Sequence, residues 1–145
     1  MTKDPEQLHG PARPDEGLAD VPLPGRPVRG SSSGQPLMAL LDLLGRRWTL
    51  RILWELRDGP LGFAALRGAC DGMSQSMLTT RLRELQVTGL VDTHHTGGYR
   101  RTTAGDELGV EMLRLNRWAD RWAQLLEAGY GTPQTPAATN ENSLS

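Results

Sequence analysis

Residues 74–105 read SQSMLTTRLRELQVTGLVDTHHTGGYRRTTAG, and this stretch decides the fold. Ser74 is placed to cap a helix, its hydroxyl accepting from an early backbone N–H that has no partner inside the helix. Leu78, Leu82 and Leu85 follow at helical spacing and predict its buried stripe. Gly89 supplies the residue just past the helix end, where positive φ is needed. Leu90–Thr96 and Tyr99–Thr103 are β-prone, and Gly97-Gly98 between them predicts a hairpin with a two-residue loop. A helix followed at once by a small basic hairpin is how a winged helix-turn-helix looks in sequence.

That helix has a face suited to double-stranded DNA. At about 100° per residue, Gln75, Ser76, Thr79, Thr80 and Arg83 fall within an arc of about 140°. The arc is polar and free of acids; Glu84 lies just outside it. Gln75 suits adenine, Arg83 suits guanine or a phosphate, and the hydroxyls of Ser76, Thr79 and Thr80 suit bases or backbone oxygens. A solvated helix face is the duller reading of these residues, and the hairpin that follows argues against it. On that hairpin Arg100 and Arg101 point to opposite faces, so one can reach a phosphate while the other points back along the domain. Arg46, Arg47 and Arg51 sit at the start of an earlier helix whose free N–H groups also favour phosphate, and Thr49 adds a hydroxyl.

Outward from this stretch, the chain of 145 residues is sized for one domain. Residues 1–36 hold seven of the ten prolines and show no apolar period, which predicts a disordered arm. Residues 131–145 have the same character and predict a disordered tail. That leaves 37–130 for the folded domain. The net charge of -1 is unremarkable, but its distribution is not. Residues 46–101 carry nine arginines against five acids, whereas residues 106–127 carry three arginines against five acids.

Leu37–Leu56 is apolar at Leu40, Leu41, Leu44, Trp48, Ile52, Leu53 and Leu56, a helical spacing interrupted by Gly45. Two helical pieces are expected, one ending near Leu44 and one running from about Arg47 to Arg57, where Gly59-Pro60 stops it. Leu61–Phe63 is long enough only for an edge strand, and Ala64–Ala69 makes a short helix. The last helix, roughly Thr103–Ala128, places Leu108, Met112, Leu115, Ala119, Trp122 and Leu126 on a heptad-like seam. A core stripe would look the same, so the seam serves either packing or a partner helix.

Other chemistries find little support. His94-His95 invites a metal, but on a strand the two imidazoles diverge and no ligand set of cysteines or carboxylates accompanies them. Asp71, Ser74 and His94 are the residue types of a nucleophilic triad without a nucleophile-elbow motif. No phosphate-cradling glycine loop occurs, so neither an enzyme nor a cofactor is expected. No apolar run approaches the roughly 18 residues of a membrane span, and no secretory signal is evident; both point to the cytoplasm. One cysteine, Cys70, excludes an intrachain disulfide. Trp48, Trp118 and Trp122 are candidates for a pocket that takes a small apolar or aromatic effector, with core packing as their ordinary use.

Four runs carry a resemblance: LDLLGRRWTLRIL (Leu41–Leu53), DGPLGFAAL (Asp58–Leu66), MSQSMLTTRLRELQVTGLV (Met73–Val91), and TTAG followed by a long helix with Trp118. With them the chain resembles the HxlR family of bacterial winged-helix regulators over about Leu37–Ala128. The resemblance implies a homodimer joined through its N- and C-terminal helices that binds an operator as a transcriptional regulator. It implies that Ser74–Thr88 is the reading helix and Leu90–Thr103 the wing, and it places the family's arginine pair on Arg81 and Arg83. Three departures stand out. Gln35 occupies the position where family members often carry a sensing cysteine, Ala64 replaces the usual capping serine of the short helix, and the wing is shorter than usual.

The combined expectation is a mainly α protein with a small β-hairpin wing, a winged helix-turn-helix with a long C-terminal dimerisation helix. It would act as a homodimeric transcription factor, a repressor on a pseudo-palindromic site. Arg46, Arg47, Arg51, Arg81, Arg100 and Arg101 would hold phosphates and the α-helical arc would read bases. The alternative is a winged helix used as a protein-interaction module, docking through its acidic last helix.

Overall fold

The computed structural model describes residues 20–129, which divide into two compact units, one ending at Gly109 and one beginning at Val110. The expected disorder of residues 1–19 and 131–145 lies outside the described residues.

In the first unit Pro36 opens helix α1 (Pro36–Leu44), a position where its missing N–H would have had no partner. Helix α2 (Thr49–Glu55) follows and tightens into a 3-10 turn over Leu56–Asp58. Trp48 at the head of α2 has φ +78°, the one non-glycine residue in the left-handed region among the described residues. For a bulky side chain this conformation costs about 1–2 kcal/mol. Packing of its ring against the core holds it there. Helix α3 (Phe63–Ala69) starts from an extended Gly62 with no side-chain cap.

Helix α4 (Gln75–Val87) is capped by Ser74 as expected, the hydroxyl accepting from the N–H of Met77 at 3.2 Å. It ends in a Schellman turn: Leu90 N–H donates to Leu85 O and Gly89 N–H to Gln86 O, with Gly89 at φ +74°. The core of this unit comprises Ile52, Leu53, Leu56, Leu66, Cys70, Met73, Leu78, Leu82, Leu85 and Val91. Leu78, Leu82 and Leu85 are the stripe that the spacing predicts.

The wing pairs strand β1 (Val91–His94) with strand β2 (Gly98–Arg101) in antiparallel register, Val91 opposite Arg101 and His94 opposite Gly98. The loop is therefore three residues, His95-Thr96-Gly97, and not the two-residue Gly-Gly loop expected. Gly97 alone takes positive φ, at +84°, the geometry of a turn closed by a left-handed residue. Gly98 belongs to the strand, where a Cβ would stand 2.9 Å from Leu61 O. Leu61 comes that close because it exchanges both backbone hydrogen bonds with Tyr99. The expected edge strand at Leu61–Phe63 is thus a single bridge, and Phe63 already belongs to α3.

Helix α5 (Thr103–Glu127) begins behind Thr102, whose hydroxyl donates to Gly89 O at 2.6 Å and accepts from Gly105 N–H at 3.1 Å. Gly105 is buried, and a Cβ there would come 2.2 Å from Leu90 O. The TTAG run therefore fastens the start of α5 to the root of the wing. In the second unit α5 continues from Val110.

Residues 20–35 correct the expectation of a disordered arm as far as they are described. Val21 is buried, Gly25 N–H donates to Gly34 O at 2.8 Å, and Val28 and Ser31 exchange backbone hydrogen bonds. Proline and glycine here build a closed turn. Composition alone cannot separate that from disorder, because both use the same residues.

Candidate nucleic-acid interface

All five arc residues of α4, Gln75, Ser76, Thr79, Thr80 and Arg83, are exposed. The hydroxyls of Thr79 and Thr80 donate back to Gln75 O and Ser76 O at 2.9 and 3.0 Å. Each hydroxyl keeps acceptor capacity for an outside donor. The side chains of Gln75 and Arg83 make no hydrogen bond or ion pair with any described residue. The face thus offers two long uncommitted polar groups among short ones, and no carboxylate.

The expected phosphate contacts divide sharply. Arg47 is exposed, its guanidinium 5.2 Å from the centre of the Trp48 ring. Arg46 and Arg81 instead turn inward onto Glu84, which is only 6% exposed. Arg46 Nη1 donates to Glu84 Oε1 at 2.8 Å and Arg81 Nη1 to the same oxygen at 2.9 Å. Arg81 Nε also donates to Arg47 O at 2.8 Å, tying α4 to the turn before α2. A buried carboxylate needs compensation on this scale, so both arginines are committed to the fold. Thr49 is likewise corrected: it is fully buried, and its hydroxyl has no hydrogen-bond partner among the described residues. Arg51 is exposed but pairs with Glu55 at 2.8 Å and donates to Ala69 O.

On the wing the two faces differ as strand alternation requires. Arg100 is exposed and pairs with Asp92 across the hairpin at 2.8 Å. That hydrogen bond holds the Asp92 carboxyl below the usual carboxylate range and raises the pKa of Arg100. Arg101 is inward, with Nε 3.0 Å from Asp106 Oδ1 and its guanidinium over Gly109. It is a structural latch and not a phosphate contact.

The imidazoles of His94 and His95 do not diverge as expected; their centroids lie 4.0 Å apart, because the strand ends at His94 and alternation stops there. Desolvation first, then the neighbouring His95 and Arg100, push the His94 pKa down. Its Nδ1 accepts from the Thr96 N–H at 3.3 Å. No group of three or more potential metal ligands occurs among the described residues.

Of the seam on α5, Leu108 packs against the first unit's core and is corrected to a core residue. In the second unit Leu115, Trp122 and Leu126 are about half exposed, and Met112 and Ala119 are intermediate. Val110, Leu113, Trp118 and Leu125 add further exposed apolar surface. Trp118 and Trp122 stack in parallel at 6.0 Å and line a depression of about 320 Å³ with Arg121, Gln124 and Leu125. Trp48 belongs to the first unit. No described helix is long and apolar enough to cross a membrane.

The HxlR-like helix-turn-helix family model matches residues 43–127, a span that holds α2 to α5 and the wing. The chain belongs to this family. It is 29% identical over 104 residues to the HTH-type transcriptional regulator YybR of Bacillus subtilis, covering 68% of this chain and 83% of that one. It is 29% identical over 101 residues to YodB of the same organism, covering 66% and 90%. The solved structure of quinone-bound YodB superposes with a TM-score of 0.57 at 31% identity, covering 59% of this chain and 97% of that one. The fold is a winged helix-turn-helix, and the protein is a DNA-binding transcriptional regulator of the HxlR type. Sequence reasoning missed the role of Glu84; its only sequence signal was an acid at the margin of an otherwise acid-free face.

Proposed function

We propose that this regulator is a homodimeric repressor that binds a pseudo-palindromic operator with two copies of α4. The observation that carries the reading is the outer arc of α4, where Gln75 and Arg83 stand uncommitted beside Ser76, Thr79 and Thr80. Gln75 and Arg83 have the donor and acceptor patterns for adenine and guanine, and Arg47 and Arg100 stand exposed for phosphate. Repression follows where the bound dimer covers a promoter.

The exposed stripe of α5, with Leu37 and Leu41 exposed on α1, supports self-association through the terminal helices. An exposed apolar surface of that extent marks an interaction site. The structure of quinone-bound YodB suggests an effector of apolar or aromatic character, for which the Trp118–Trp122 depression is the candidate seat here. A thiol switch at Cys70 has no support: its side chain is fully buried, and burial first, then Glu55, pushes the thiol pKa up.

Selection of duplexes from a random pool, followed by a salt titration on the selected site, tests the function. An inverted repeat and a steep fall of affinity with salt are expected, since each neutralised phosphate releases counterions. Recovery of no sequence, with salt-independent binding, would instead favour the protein-interaction module.

A further inference from the structure

The turn formed by residues 23–34 lies beside the reading helix. A surface cleft of about 910 Å³ is lined by Arg26, Arg29, Met38, Asp42, Arg46 and Thr80, among others. Thr80 is the arc residue nearest this side; Arg81 and Glu84, which continue the helix surface past it, also line the cleft. A helix of about 10–12 Å diameter fills a major groove of about 12 Å. A phosphate backbone must therefore run along each edge of the reading face, one of them on the Thr80 side.

We infer that this turn is a second DNA-contacting element, in which Arg26 and Arg29 bind backbone phosphates alongside α4. Both arginines are exposed, and neither guanidinium has a partner among the described residues. The cleft holds four arginines, Arg26, Arg29, Arg46 and Arg81, against the carboxylates of Asp20, Asp42 and Glu84. Glu84 is paired with Arg46 and Arg81, Asp20 lies 3.8 Å from Arg46, and Asp42 accepts only the backbone N–H of Arg29 at 3.2 Å, so the cleft has a small net positive charge. The guanidinia in the cleft without a partner among the described residues are the two on the turn.

The turn is held in place by the backbone and not by those side chains. Gly25 N–H donates to Gly34 O, Val28 pairs with Ser31, and Arg46 Nη2 donates to Asp20 O at 2.6 Å. Arg46, although lost as a phosphate contact, thus tethers the segment that carries two new ones. A preordered turn loses little entropy when its charges meet DNA.

The inference rests on the DNA-binding reading above, and the test separates the two. Duplex binding by the full chain is measured between about 0.05 and 0.2 M salt for wild type, Arg26→Ala/Arg29→Ala, Arg26→Lys/Arg29→Lys and Arg83→Ala. The double alanine variant should lose affinity on the order of tenfold for selected and random duplexes alike. Its salt slope should fall by about 0.9 per arginine removed, and the lysine pair should restore the slope. The melting temperature should not change; an Arg26→Gln/Arg29→Gln pair gives the same comparison if alanine disturbs the turn. Wild-type affinity and slope in the double variant, with Arg83→Ala impaired, would overturn this inference and leave the function standing. A wild type that binds no duplex would overturn both.

Discussion

Arg81 and Arg83 stand two residues apart on one helix, and the molecule uses them in opposite ways. Arg83 lies on the outer face of α4 with no partner among the described residues. Arg81 lies on the flank with three hydrogen bonds, to both oxygens of Glu84 and to Arg47 O. The outer face is solvent-exposed and is the face proposed for DNA; the flank is a polar joint that fixes where that face stands. A basic count over the reading half cannot tell them apart. What separates them is one buried carboxylate, which attracts whichever guanidinia can reach it.

The sharpest way to break this comparison is at Glu84. Glu84→Ala leaves two guanidinia facing each other with their carboxylate removed. The loss of folding stability should be about 3 kcal/mol, the lower end for a broken buried pair because both arginines keep some solvent. Urea denaturation of wild type, Glu84→Ala and Arg83→Ala measures it. Arg83→Ala, a surface change, should stay within about 0.5 kcal/mol. Equal stabilities for all three proteins would show that the joint does not exist.

The same division runs along α5. Leu108→Ala opens a gap in the first unit's core and should cost about 2 kcal/mol of stability. Leu115→Asp, two steps further along the seam, should leave the fold intact but give monomers in sedimentation, because a charge in an apolar seam must lose its solvation. A dimeric Leu115→Asp protein would remove this helix from the interface.

On DNA the order reverses. Arg83→Ala should cost roughly 1–3 kcal/mol on the selected operator and relax one base position per half-site. Arg81→Ala should weaken binding only in proportion to its loss of stability. On the wing, Arg101→Ala should lower the melting temperature, the loss of its ion pair and packing being worth about 1 kcal/mol. Arg100→Ala should act on DNA affinity and salt slope with the fold unchanged. Equal effects of the two wing variants on both readouts would refute the inward and outward assignment.

The smallest effect concerns pH. The pKa of His94 is lowered in the folded protein, so the unfolded chain takes up the proton first as pH falls. Its contribution is complete above the ordinary histidine value of about 6.5 and is lost as pH falls through the lower folded value. Protonation of Nδ1 also removes the acceptor for Thr96 N–H. An NMR titration should show the His94 imidazole titrating below that of an unstructured reference peptide, and a His94 that titrates above about 6.5 would contradict the structure.

Local signals by themselves determined the helices, the hairpin and the exposed polar face of α4. Ser74, the Leu78–Leu82–Leu85 stripe and Gly89 each act within a few residues of their own position, through capping, periodicity and positive φ, so no distant partner was needed to read them. The alternation of Arg100 and Arg101 was legible for the same reason, although the sequence could not say which face was inward. Only the tertiary structure decided the fate of the other arginines. Arg46 and Glu84 lie 38 residues apart in sequence, and no local pattern announces that they meet. The hairpin loop has three residues and not two because Gly98 pairs with His94 in the ladder, and Leu61, far upstream, bridges the next residue, Tyr99. The order in residues 20–35 likewise depends on α1 and on Arg46, and a prolines-and-glycines composition carries no trace of either. Charge and turn residues are read locally, but what they do is set by the long-range neighbours that burial brings to them.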